Sequence, residues 1–103
     1  MSSASSVQEC DRLIAEAQQR ISTRLSYIDQ CESHWREMQS LLESIRDQQD
    51  PHSLHTKEIA QSAMNTAWRN IQQGRQGNDT DRRTMQTLEV QKVSLNSSYW
   101  PWS

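Results

Sequence analysis

The chain has no phenylalanine, two glycines, two prolines, two cysteines and six aromatic residues in 103. So few turn formers and aromatics argue against a sheet protein, which draws on Val, Ile, Thr and aromatic runs punctuated by turns. No segment approaches the roughly 18 to 20 consecutive apolar residues that a membrane span requires. No acidic or basic tail points to a membrane surface, and the net charge of -2 is close to neutral. Only 33% of the residues are hydrophobic, so the core is expected to be thin, and association with other chains is the common remedy. The length suits one small domain, not two independent cores.

What is present is a stretch from Val7 to about Gln49 with neither Pro nor Gly and one heptad pattern throughout. Position a holds Val7, Ile14, Ile21, Ile28, Trp35 and Leu42, and position d holds Cys10, Ala17, Arg24, Cys31, Met38 and Ile45. Eleven of these 12 are apolar, which predicts a single long helix. Ser6-Val7-Gln8-Glu9 forms a capping box at its start. Leu13, Leu25 and Leu41 lie beside the stripe and widen it toward the face of a bundle helix. Arg24 is the exception on the stripe, and Ser22-Thr23-Arg24 is the weakest helix-forming spot, where a kink or break is the alternative.

Asp50-Pro51 marks a turn, since the residue before proline leaves the helical region and proline suits the first helical position after an Asp cap. A second helix is expected over Pro51 to Gln73, with Gly74 as its C-terminal cap. Its apolar set is Leu54, Ile59, Ala60, Ala63, Met64, Ala67, Trp68 and Ile71. Arg75-Gln76-Gly77-Asn78 reads as a loop. A third helix is expected over about 80 to 93, with Met85, Leu88 and Val93 inward, although Leu88-Glu89-Val90 and Val93-Ser94-Leu95 also fit strand alternation. The fold class is therefore all-α: a long N-terminal helix with a heptad stripe, in an antiparallel hairpin with a shorter third helix, as a coiled coil or three-helix bundle. Residues 1–6 are expected to be a disordered N-terminus, 7–95 a helical domain and 96–103 an aromatic tail.

A helix over residues 7–49 measures about 64 Å, against roughly 35 Å for a compact domain of this size. The second and third helices, folding back around Trp35 and Trp68, are expected to cover only its second half. That leaves Val7, Cys10, Ile14, Ala17, Ile21, Arg24, Leu25 and Ile28 as the expected interface with a second copy or another helical protein.

Few residues suggest chemistry. Tyr99, Trp100, Pro101 and Trp102 put half of the six aromatics into the last five residues; they suit either a docking peptide for a groove or a cover for the bundle's open end. His52 and His55 stand near Asp50, but a zinc site wants three or four ligands and nothing is placed to complete one. Cys31 and His34 share the i,i+3 spacing of a thiolate–imidazole pair, yet Cys31 is on the core stripe and no Gly-rich loop offers an oxyanion hole. Cys10 and Cys31 would lie roughly 31 Å apart on one helix and cannot bridge within it; they read as buried thiols, with a disulfide between two chains as the other reading. The carboxylates are spread along solvated faces, so no enzyme, cofactor, metal or small-molecule substrate is expected.

Residues 52–103 carry six Lys and Arg against four Asp and Glu (+2), and residues 1–51 five against nine (-4). A dimeric nucleic-acid-associated regulator using Arg69, Arg75, Arg82 and Arg83 of segment 69–83 is thus the alternative to a protein-interaction module, though the basic stripe is thin. Met1 to Ser6 has neither a positive residue nor an apolar run. No secretory leader is therefore expected, and the cytoplasm or nucleus is.

Overall fold

In the computed structural model, which describes residues 6–97, two long helices account for nearly all of the chain: α1, Val7–Ser44, and α2, Pro51–Ser97. The described residues contain no strand. α1 starts where the capping box places it, with the Glu9 N–H donating to Ser6 Oγ at 3.1 Å. It runs without interruption through Ser22–Arg24, so the kink does not occur. It ends at Ser44 instead of Gln49, because residues 45–50 are spent on reversing the chain. Asp50 caps α2: its Oδ2 accepts the Ser53 N–H at 3.0 Å, and the buried Ser53 hydroxyl lies 2.7 Å from both Asp50 Oδ1 and Gln48 Oε1. The Lys57 ammonium closes the turn by donating to the carbonyls of Arg46 and Gln48.

The expected third helix is absent, and so is the three-helix bundle, because α2 passes straight through the expected loop at residues 75–78. Neither glycine adopts a positive φ, so neither acts as a helix terminator. Both are used for close approach. A Cβ on Gly74 would come within 2.9 Å of Ile28 Cγ1, and one on Gly77 within 2.8 Å of Arg24 Nε. The burial of α2 repeats by sevens across them: Ser53, Ala60, Ala67, Gly74, Asp81, Leu88 and Leu95 are buried or half-buried, as are Met64, Ile71, Asn78, Met85 and Lys92.

The residues group into two compact units. The first pairs α1 up to Arg24 with α2 from Gln76. Its core is Cys10, Ile14 and Leu88, with Leu13, Met85 and Leu95 packed against them. The second, Leu25–Arg75, is a helical hairpin whose core is Ile28, Cys31 and Ile71. Trp68, expected to be central, is instead 54% exposed.

These contacts change the standing of the N-terminal stripe. Cys10, Ile14, Ala17 and Ile28 are buried and Val7, Ile21 and Arg24 half-buried, leaving only Leu25 of the eight exposed. The inference that nothing in the chain covers this stripe is corrected: it rested on ending the second helix at Gln73, whereas α2 continues to Ser97 and supplies Leu88, Met85 and Leu95.

Candidate interaction surface

In a two-helix pair each helix buries one stripe, and the flanks beside the seam stay open unless bulky side chains fill them. In the Leu25–Arg75 hairpin one flank is filled poorly. α2 lines it with Ile59, Ala63, Thr66 and Asn70 among others, and α1 with Tyr27 and His34. The result is a groove with Cys31, Ala63 and Ala67 among its lining, together with Tyr27, Ile59 and Thr66. Tyr27 and Ile59 are exposed large apolar side chains. The Tyr27 phenol is held above its ordinary pKa, first through a hydrogen bond with the Cys31 side chain, and is neutral at physiological pH. Glu58 is the acidic residue of its lining; Asp29 and Glu37 line a separate depression on α1.

The opposite flank is closed more fully. Trp35, Trp68 and Ile71 line a shallow depression there, crossed by the Arg75–Glu32 ion pair at 3.3 Å.

The Val7–Arg24/Gln76–Ser97 pairing has a polar layer in its seam. Asp81, 7% exposed, accepts hydrogen bonds from Arg20 Nε and Nη2 at 3.0–3.2 Å and from Arg24 Nη1. The Arg20 contact is the main reason its carboxyl lies below the usual range; burial opposes the shift and Arg24 adds to it. Beside it Asn78 is 2% exposed, and its Oδ1 has no hydrogen-bond partner among the described residues. Lys92 Nζ and Asp11 Oδ1 form a further pair at 2.7 Å. This layer was not anticipated, because a loop was expected at Asn78; the sevenfold spacing from Ile71 and Gly74 would have placed it.

The chemical candidates do not assemble. His52 and His55 are exposed, and Asp50, held below its ordinary pKa chiefly by the Ser53 side chain, is engaged in the helix cap. Among the described residues no group of three His, Cys, Asp or Glu is placed to hold a metal ion. Cys31 and His34 both border the groove, Cys31 buried and His34 exposed. Cys10 and Cys31 are free, buried thiols. Arg75 is engaged by Glu32 and Arg82 by Asp79, leaving Arg69 and Arg83 of segment 69–83 without an ion pair among the described residues. No described helix is long and apolar enough to cross a membrane. Tyr99, Trp100, Pro101 and Trp102 lie outside the described residues, as do residues 1–5.

No protein family matches this chain, and no curated protein or solved structure is detectably similar to it.

Proposed function

We propose that this chain is a non-catalytic protein–protein interaction module, a subunit, adaptor or chaperone of a multiprotein complex in the cytoplasm or nucleus, and that it receives a helical partner in the groove of its Leu25–Arg75 hairpin. The observation that carries this reading is the exposure of large apolar side chains off the seam: Tyr27 on one wall and Ile59, 57% exposed, on the other, above the small residues Ala63 and Ala67. Apolar walls over a small-residue floor suit the apolar stripe of an amphipathic helix. The long heptad helix retains its place in the proposal as the scaffold that sets Tyr27 and His34 one heptad, about two helical turns, apart.

The test is a photo-activated benzophenone residue placed at Ile59 of the full chain in its native cell. A crosslink to a protein of discrete mass, another copy included, is expected, with none from the same probe at the exposed Gln39. Equal, diffuse labelling from both positions would remove the groove as a working surface.

A further inference from the structure

The two units are tied into the chain differently. Residues 25–75 contain their own turn, fastened by the Asp50 cap and by Lys57 on the carbonyls of Arg46 and Gln48. The first unit has no turn of its own: it pairs α1 up to Arg24 with α2 from Gln76, two segments joined only through the other unit. Opening it therefore leaves the hairpin's contacts in place. Opening the hairpin while the first unit held would leave a loose loop over residues 25–75, with the entropic cost of closing it. Release from the first unit is the easier order.

The seam of the first unit is also built to part. Its apolar cluster, Cys10, Ile14 and Leu88, is separate from that of the hairpin. Between this cluster and the division the buried positions of α2 are polar: Asn78, whose Oδ1 lacks a partner, and Asp81, whose arginines keep 47% and 34% of their side chains in solvent. The Lys92–Asp11 pair is partly exposed and adds little. On both helices weak helix formers flank the division, Ser22 and Thr23 on α1 and Gly74 and Gly77 on α2. We infer that the first unit is a releasable arm, which opens as one cooperative body while the Leu25–Arg75 hairpin stays folded. Release bares Cys10, Ile14 and Leu88, the apolar surface that the closed arm withholds. It leaves the groove whole, because every residue lining the groove belongs to the hairpin. The inference is independent of what the groove holds.

Cys10, 0% exposed in the core of the arm, is a native reporter of its opening. The experiment labels the full chain with excess aromatic disulfide reagent in graded urea, reads Cys10 by peptide mass, and follows loss of helicity alongside. Cys10 should label through an opening that precedes global unfolding, with roughly half the global urea slope, since that slope scales with the surface exposed. Amide exchange should give residues 11–24 and 76–92 one common protection, lower than that of residues 28–42 and 57–71. Asp81→Asn should speed Cys10 labelling roughly 5- to 30-fold and leave amide exchange in the hairpin unchanged. Labelling that tracks global unfolding in midpoint and slope would make the chain a single body and overturn the arm. A urea-independent rate would reduce the event to a fluctuation around one thiol, and equal acceleration of both units by Asp81→Asn would show that they do not open separately; either result overturns the inference. Should Asp81→Asn fail to fold, the wild-type slope and exchange pattern decide.

Discussion

Asp81 faces two guanidinium groups across the seam of the first unit, and its carboxyl is held below the ordinary range mainly by Arg20. A carboxyl whose pKa is lower folded than unfolded stabilises the fold fully above the unfolded value, about 3.9. That contribution is lost as the pH falls through the folded value. Stability should therefore decline below about pH 4, with Asp50 acting in the same direction. Asp81→Asn should lower stability at neutral pH by about 1 to 2 kcal/mol, short of the figure for a fully buried pair because both arginines reach solvent. The gap between wild type and variant, measured by urea unfolding, should narrow as the pH drops below 4. A gap that stays constant with pH would show that the Asp81 charge plays no part. Asn78 works the other way. Its buried Oδ1 lacks a partner, so Asn78→Leu should raise stability by roughly 1 kcal/mol. A buried polar residue at such a position is the usual device for fixing register at a cost in stability.

At the scale of the element, the continuity of α2 decides the fold. Gln76→Pro should cost about 3 kcal/mol, because it removes a hydrogen bond inside a helix; a loop there would tolerate it, and circular dichroism with urea unfolding distinguishes the two. The glycines should also differ from each other. Gly74→Ala brings a methyl group against Ile28 Cγ1 in a tightly filled core, so overpacking of about 1 to 3 kcal/mol outweighs the ~1 kcal/mol gained in helix propensity. Gly77→Ala meets the Arg24 side chain, so its cost should come through displacement of the guanidinium from Asp81 and be smaller in a background where Asp81 is Asn.

The same contrast explains what could be read from the sequence. Ser6, Asp50 and Pro51 act within one turn of themselves, so both helix starts were legible, and the apolar heptads of α1 gave its buried face. Gly74 and Gly77 read as breakers because glycine's local freedom is all a sequence displays; their actual use, room for Ile28 and Arg24, is a tertiary fact. Leu54, Ile59 and Trp68 enter the apolar set of the second helix on hydrophobicity alone, as Val93 enters the inward set of the third, yet all four are exposed. The strict repeat of Ala60, Met64, Ala67 and Ile71 would have left them outside, and with them the groove.

For the whole molecule, the heptad stripe of α1 is covered within the chain, and we propose that partners meet the surface beside the seam. Two substitutions of the same kind separate this from assembly through the stripe: Ile14→Asp and Ile59→Asp, each followed by urea unfolding of the full chain. Ile14 is 7% exposed and packs with Leu88, so an unpaired carboxylate there should cost at least about 3 kcal/mol, a large part of the total for a small domain. Ile59 should change stability by less than about 0.5 kcal/mol. If Ile14→Asp instead leaves the chain as helical and as resistant to urea as wild type, the stripe is not the chain's own core, and the account is contradicted.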